Sequence, residues 1–146
     1  LGATTPSFDL ETQKDKDYPT GHINRELINR VLPTLAGAQM QVPPLFSAKS
    51  VEGGRAYLLA RKGIDMELAP SPVTIHQLEV LHFELPNLTL KIRCSKGTYI
   101  RALARDIGIA LGSGAHLTEL RRTASGDFRV DEAMEIENFE KIIFDL

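Results

Sequence analysis

The sequence has a single cysteine among its 146 residues, so Cys94 cannot form an internal disulfide. No His, Asp or Glu cluster surrounds it at metal-ligand spacing, and we expect no metal and no other cofactor. No window approaches the roughly 20 uninterrupted apolar residues that a membrane span needs, and the N-terminus has no basic segment followed by an apolar one. These absences predict a cytoplasmic protein without a membrane partner.

The net charge of -2 neither favours nor excludes a nucleic-acid partner, because the positions of the basic residues matter more than their sum. Asp and Glu are concentrated near the two ends of the chain. The stretch between them is rich in basic side chains: Arg93, Lys96, Arg101, Arg105, Arg121, Arg122 and Arg129. An apolar fraction of 42% is enough for one packed core, so we expect a single domain.

Apolar periodicity predicts the helices. Ile23, Leu27 and Val31 follow one another at four-residue steps, which indicates a helix that Thr20 would cap and Pro33 would end. Further helices are predicted at residues 56–62, 99–111 and 137–144, the second of them ended by a glycine.

Alternating and β-branched residues predict the strands. Residues 37–42 form a short strand, and residues 73–83 and 88–94 form two adjacent antiparallel strands joined by a proline-asparagine turn. Residues 115–123 carry a weaker strand pattern. Strands and helices do not alternate strictly, so we predict an α+β fold with a mixed, mainly antiparallel sheet flanked by helices.

The segment with the most chemical content is residues 95–101, Ser-Lys-Gly-Thr-Tyr-Ile-Arg, between a strand and a helix. Such a junction exposes backbone N–H groups and tolerates functional side chains. A phosphate-binding loop is not favoured, because its first glycine should stand near Ile92 and does not. Tyr99 and Arg101 could simply occupy a first helical turn, with the phenol half-buried and the guanidinium solvated. Alternatively, the planar fork of Arg101 could hold a buried carboxylate, which no pattern in the chain identifies.

Residues 95–108, which contain Lys-Gly-Thr-Tyr-Ile-Arg and then Leu-Ala and Asp-Ile-Gly, resemble the late active-site motif of the TruB family of tRNA pseudouridine synthases. Three other blocks resemble the same family in the same order. Residues 1–9 begin Leu-Gly-Ala-Thr-Thr and end in Asp, and residues 41–49 read Gln-Val-Pro-Pro-Leu-Phe-Ser-Ala-Lys. Residues 114–122 begin Gly-Ala-His-Leu and end Leu-Arg-Arg. The resemblance therefore spans nearly the whole chain.

The resemblance implies an enzyme that isomerises a uridine in the T loop of tRNA, with the T stem-loop as its partner. Residues 1–146 would be the C-terminal part of the catalytic domain, with residues 37–72 as an insertion that grips RNA and no additional C-terminal RNA-binding domain. The family's nucleophilic aspartate lies in a Gly-x-Leu-Asp-Pro-x-Ala-x-Gly stretch that would precede Leu1. We therefore expect this chain alone to be inactive.

The same resemblance implies roles for individual residues. Arg101 would pair with the catalytic aspartate, Tyr99 would line the pocket of the flipped base, and Leu120 would pack against that base. The other expected substrate-binding residues are Asp9, Lys96, Gly97, Thr98, His116, Arg121 and Arg122. Structural roles remain open for three of these residues, since His116 could be structural, Leu120 could belong to the core and Asp9 could close a turn.

Two other hypotheses remain open at this point. The chain could be an RNA-binding or structural fragment without activity of its own, or an unrelated α+β binding domain. A sheet that lacks strands exposes unpaired backbone groups, so self-association through its edge is also expected.

Overall fold

A computed structural model describes residues 1–45, 50–51, 54–55 and 68–144. The strands are β1 (Ala3–Thr4), β2 (Lys16–Asp17), β3 (Gly37–Gln41), β4 (Ser50–Val51), β5 (Gly54–Arg55), β6 (Ser71–Glu84), β7 (Asn87–Cys94), β8 (Ala124–Ser125) and β9 (Phe128–Arg129). The α-helices are α1 (Arg25–Val31), α2 (Ile100–Ala110) and α3 (Ile136–Phe144). Among the described residues, 3-10 helices cover Leu32–Leu35 and Val130–Glu132. The predicted α+β class is confirmed.

The central sheet is antiparallel and has the order β3-β6-β7. Its strands confirm those predicted at residues 37–42, 73–83 and 88–94, although β6 is longer than expected at 14 residues. The smaller pairs β1-β2, β4-β5 and β8-β9 are also antiparallel.

Two irregularities in β6 determine which of its side chains face the core. The pairing with β7 shifts between Ile75 and Gln77 and again between Val80 and His82, so that β6 has one extra residue at each point. At each shift two consecutive residues are exposed, and the inward positions continue on the far side of the bulge. The inward apolar residues of β6 are Val73, Ile75, Leu78, Val80 and Phe83. The bulges therefore keep one apolar face along a strand whose simple alternation is broken twice.

Helix α1 differs in its start from the prediction. The cap is Asn24 and not Thr20, because the Asn24 side chain accepts a hydrogen bond from the backbone N–H of Leu27 at 2.9 Å. The α-helix ends at Val31, just before Pro33 as predicted, and only a 3-10 helix continues past Pro33. Pro33 lies early in this 3-10 helix, where proline lacks only an N–H that would have no helical partner.

Helix α2 packs with α1 onto the sheet. The hydrophobic core consists of Ile23, Ile28, Leu32, Ile75, Leu103, Ile107 and Leu111, with the partly buried apolar residues of β6 and β7 around it. Gly108 brings α2 against the following segment, since a Cβ built on Gly108 would lie 2.4 Å from the backbone nitrogen of Ala115. The prediction of a helix over residues 99–111 is confirmed to within a residue or two at each end.

The strand predicted over residues 115–123 is wrong. Residues 115–123 have no regular secondary structure, and the next strand is the two-residue β8. Strand formation needs a continuous partner for the backbone. The backbone hydrogen bonds here are isolated: the Leu117 N–H donates to the Phe8 carbonyl, and the Thr123 carbonyl accepts from the Val130 N–H. The predicted C-terminal helix is confirmed as α3. Within the described ranges, no helix has the length and apolar character needed to cross a membrane.

Part of the predicted organisation cannot be compared with the structure. The helix predicted at residues 56–62 and much of the insertion predicted at residues 37–72 lie outside the described residues.

Candidate active site

A tight turn joins β7 to α2 and carries the Lys-Gly-Thr segment. The Ser95 N–H donates to the Thr74 carbonyl at 2.8 Å, and Ser95 Oγ accepts from the Thr74 N–H at 2.9 Å. Thr98 Oγ1 donates back to the Ser95 carbonyl at 2.9 Å. Gly97 has φ of +88°, a backbone conformation that other residues rarely adopt. The turn is thus fixed to the sheet, with Lys96 and Gly97 exposed at its tip.

Tyr99 is the N-cap residue of helix α2, but its side chain makes no capping hydrogen bond. The backbone of Tyr99 is instead held by Gln41 at the end of β3. The Gln41 side chain donates from Nε2 to the Tyr99 carbonyl at 3.2 Å and accepts through Oε1 from the Tyr99 N–H at 2.9 Å. Only 3% of Gln41 is exposed. Gln41 is not among the site residues that the sequence predicts.

Arg101 is the second residue of α2, and its side chain crosses to the loop after β1. Nη1 donates to Oδ2 of Asp9 at 3.0 Å and to the Ser7 carbonyl at 3.3 Å. The side chains of Arg101 and Asp9 are 22% and 24% exposed, so the ion pair is mostly shielded from water. Shielding strengthens a charge-assisted hydrogen bond. Within the described residues, Asp9 is therefore a carboxylate that Arg101 holds.

Asp9 is also held by its own loop. Oδ1 accepts from Ser7 Oγ at 2.6 Å and from the Glu11 N–H at 2.9 Å, and the Asp9 carbonyl accepts from Thr5 Oγ1 at 2.7 Å. Burial opposes ionisation of Asp9. The hydrogen bonds from Ser7 and Glu11 and the charge of Arg101 outweigh it, and the pKa of Asp9 lies below its ordinary value of 3.8. Asp9 does take part in a turn, which is the structural role left open for it in the sequence. It is also the ionised partner of Arg101.

Phe8 connects this loop to α2 and to the segment that follows the helix. Its φ of 63° lies in the left-handed region, which costs energy for a residue with a bulky side chain. The Arg105 guanidinium lies 5.0 Å from the centre of the Phe8 ring, and Nη2 of Arg105 is 2.7 Å from Oδ1 of Asp106. The Phe8 carbonyl accepts from the Leu117 N–H at 2.8 Å. Phe8 thus fixes the orientation of the turn that presents Asp9.

His116 has a structural contact near the start of the chain. Its Nδ1 is 3.0 Å from the Ala3 carbonyl, which can only accept, so Nδ1 donates and carries a proton in this arrangement. The Gly2 N–H donates to the Gly114 carbonyl at 2.8 Å. These contacts hold the residues after α2 against the first strand, which agrees with the structural role left open for His116.

The remaining predicted site residues lie farther along the same segment. Leu120 is 60% exposed, and Arg121 and Arg122 are exposed beside it on a stretch without regular secondary structure. The structure therefore brings together Asp9, Tyr99 and Arg101 at the head of α2, and it places Leu120 and the two arginines on an exposed segment.

Comparison with known proteins identifies the class. Residues 1–100 match the family model described as the N-terminal domain of TruB family pseudouridylate synthases, and residues 101–145 match the model of the tRNA pseudouridylate synthase B C-terminal domain. Both models describe pseudouridine synthases. The chain belongs to the TruB family.

Curated relatives agree with the family models. The chain is 55% identical over 139 residues to the tRNA pseudouridine synthase B of Phocaeicola vulgatus, covering 95% of the chain and 59% of that protein. It is 53% identical over 143 residues to the protein of the same name from Bacteroides fragilis, covering 98% of the chain and 61% of the relative. It is 48% identical over 141 residues to the tRNA pseudouridine synthase B of Flavobacterium johnsoniae, covering 97% of the chain and 62% of that protein. The chain thus spans about three fifths of the length of these relatives.

Proposed function

We propose that the full-length protein isomerises a uridine in the T loop of tRNA to pseudouridine in the cytoplasm. The observation that carries this proposal is the shielded ion pair between Asp9 and Arg101 at the head of α2, in a member of a pseudouridine synthase family. A rigidly held guanidinium at a strand-to-helix junction suits a site that must keep a catalytic carboxylate ionised.

The reaction breaks the bond between ribose C1′ and uracil N1, turns the base and joins C1′ to C5, while C5 gives up its proton and N1 gains one. It requires no net oxidation or reduction. An aspartate must stay ionised in a partly dry pocket, where burial alone would raise its pKa. Because guanidinium has five N–H donors, one arginine can serve two carboxylates. Arg101 would stabilise the nucleophile while Asp9 fixes the direction of its side chain.

The nucleophile itself is proposed to lie in another segment of the full-length protein. Asp9 is a poor candidate, since Ser7 and Glu11 donate to Oδ1 and Arg101 donates to Oδ2. Asp106 is paired with Arg105. A carboxylate with its lone pairs engaged in this way is a weak nucleophile. We therefore propose that residues 1–146 form no pseudouridine on their own.

Substrate binding requires the target base to leave its stack, which costs a few kcal/mol and must be offset by contacts in the pocket. Tyr99 is half-buried and lies two residues before Arg101 in the sequence, and Leu120 offers an exposed apolar side chain. We propose that Tyr99 lines the pocket and that Leu120 packs against the flipped base.

The RNA backbone would be held mainly by charge. Lys96 lies at the exposed tip of its turn next to Gly97 and Thr98, and Arg121 and Arg122 are exposed. Contacts of this kind with phosphates give affinity that falls with salt and carry little sequence information. We propose that these residues, His116 and the insertion at residues 37–72 together grip the T stem-loop.

A tritium-release assay on T stem-loop RNA tests the proposal with four proteins. They are the full-length protein, residues 1–146 alone, and the full-length variants Arg101→Lys and Arg30→Lys. Lysine at position 101 keeps the charge but loses the planar fork, so we expect turnover to fall sharply. Arg30 is exposed on α1 and serves as the matched control. Absence of turnover by the full-length protein would refute the proposed activity, and turnover by residues 1–146 would refute the placement of the nucleophile.

A further inference from the structure

We infer that Gln41 is a positioning residue, whose carboxamide fixes the first turn of α2 and thereby the place from which Arg101 reaches into the site. The inference rests on the proposed function, because it assigns Gln41 a part in the same reaction. Gln41 touches neither Arg101 nor Asp9 in the contacts described above; it acts through the backbone of Tyr99.

The Gln41 side chain both donates to and accepts from the backbone of one residue, which ordinary buried polar side chains need not do. Gln41 donates to the Tyr99 carbonyl and accepts from the Tyr99 N–H, at 3.2 and 2.9 Å, across 58 residues of sequence. The side chain is almost fully buried, with 3% exposure. A buried amide that lost either bond would leave a polar group unsatisfied, so this geometry defines a single preferred position for the Tyr99 backbone.

The position of the contact on the helix explains why Gln41 is needed. In a capping box, a Glu or Gln at the third helical residue accepts a hydrogen bond from the N–H of the cap residue. The third residue here is Ala102, which cannot do so, and the Tyr99 side chain does not cap the helix either. Gln41 supplies the missing acceptor from a neighbouring strand. The start of α2 is therefore set by the sheet and not by the helix itself.

Gln41 is connected to the site through a short stretch of backbone. Gln41 lies opposite Ser71 in the pairing of β3 with β6, so its backbone is fixed in the central sheet. Arg101 follows Tyr99 by two residues, in the helical turn that the amide holds. A shift of that turn would move the guanidinium relative to Asp9 and to the substrate. Misplacement by about 1 Å can lower a reaction rate by as much as about 100-fold.

The experiment compares Gln41→Met, Gln41→Glu, Arg101→Lys and the double variant of Gln41→Met with Arg101→Lys in the full-length protein. Methionine keeps the length of the side chain and removes both hydrogen bonds. Glutamate keeps the acceptor for the Tyr99 N–H and loses the donor. We expect kcat to fall by up to about 100-fold in Gln41→Met, with KM for the RNA unchanged and an intermediate kcat in Gln41→Glu. The double variant should be no slower than Arg101→Lys, because Gln41 acts through Arg101.

Two control variants separate positioning from stability. Gln77→Met changes an exposed glutamine on the sheet, and Ile28→Val removes one buried methylene from the core on α1. Both should keep the wild-type kcat. The inference is wrong if Ile28→Val loses as much stability as Gln41→Met and also loses as much kcat. The effect of Gln41 on kcat would then come from stability alone. A normal kcat in Gln41→Met, or additive losses in the double variant, would also overturn it.

A second readout does not depend on activity. The Nε–H signal of Arg101 in a nitrogen-15 NMR spectrum, assigned with Arg101→Lys, should shift or broaden in Gln41→Met and stay in place in Gln77→Met. An unchanged signal would overturn the inference. If the wild-type protein formed no pseudouridine, the proposed function would fail, and this NMR comparison would still decide whether Gln41 positions Arg101.

Discussion

Asp9 and Arg101 are 92 residues apart in the sequence, and Nη1 of the arginine lies 3.0 Å from Oδ2 of the aspartate. The pair joins the loop after β1 to the first turn of α2. Each partner is held from its own side as well, Asp9 by Ser7 and Glu11 and the start of α2 by Gln41. The direction of the Arg101 side chain is therefore fixed by both the loop and the sheet.

Replacing Asp9 by Asn should lower turnover of T stem-loop RNA by the full-length protein by about 100-fold, with little change in RNA affinity. The carboxamide oxygen of the asparagine could still accept hydrogen bonds from Ser7 Oγ and the Glu11 N–H, but its NH2 group would then face the Arg101 guanidinium. Two donor groups cannot form a hydrogen bond with each other. Steady-state kinetics and a binding titration measure the two quantities. The control is Asp15→Asn, which changes an exposed carboxylate near the same loop. Equal rates in both variants would show that Asp9 does not direct Arg101.

Stability should depend on pH through Asp9. Its pKa is lowered on folding, so the stabilisation is complete above about 3.8, the ordinary pKa, and is lost as the pH falls through the folded value. In Ser7→Ala, one hydrogen bond to the ionised carboxylate is gone. The difference in free energy of unfolding between wild type and Ser7→Ala should be largest above this pH and shrink below it. Urea unfolding over a pH series measures the difference. A constant difference would mean that Ser7 acts only through contacts that do not depend on the charge of Asp9, such as its hydrogen bonds with Thr12.

Gly108→Ala should destabilise the protein by about 1 to 3 kcal/mol. The added Cβ would meet backbone atoms of residues 114 and 115 at 2.7 and 2.4 Å, and backbone cannot move aside as a flexible side chain can. Gly21→Ala is the control, because a Cβ there would meet nothing within 4 Å. Thermal unfolding of both variants gives the comparison. A wild-type midpoint for Gly108→Ala would mean that α2 and the following segment are not in close contact.

Arg121→Ala and Arg122→Ala should each weaken binding of T stem-loop RNA and reduce the slope of log affinity against log salt by about 1. Both side chains are exposed, so the stability of the protein should not change. Arg30→Ala, on the exposed side of α1, should leave both affinity and slope as in wild type. Affinity titrations at several salt concentrations provide the test, and an unchanged slope in all three variants would remove the two arginines from the RNA interface.

The elements around the site could largely be predicted from sequence, but the contacts within it could not. The periodicity of α2 and the glycine at its end placed Arg101 in a first helical turn. No local sequence pattern links Arg101 to Asp9. The ion pair forms only because the fold places the first turn of α2, which follows β7, against the loop after β1. Their pairing follows from tertiary structure alone, whereas the family resemblance assigned Arg101 to a carboxylate outside the chain.

The burial of Gln41 is a second feature that hydropathy does not predict. In β3, hydropathy favours Ala38 and Met40 as the inward residues, yet Met40 is 64% exposed and Gln41 is buried. The strand is oriented by the two hydrogen bonds to Tyr99 and not by its apolar residues. Other expectations, including self-association, the individual roles of the RNA-contacting residues and the insertion at residues 37–72, stay predictions.

The two bulges of β6 have a consequence for tolerance to changes in chain length. At each of them the strand has one residue more than β7 requires, and that residue lies beside another that is also exposed. Deleting His76 or Leu81 would leave Ile75, Leu78 and Phe83 opposite their present partners Cys94, Ile92 and Leu88. Deleting a residue between the bulges, such as Glu79, would turn part of the apolar face toward water. Natural length variation in this strand should therefore be confined to positions 76–77 and 81–82.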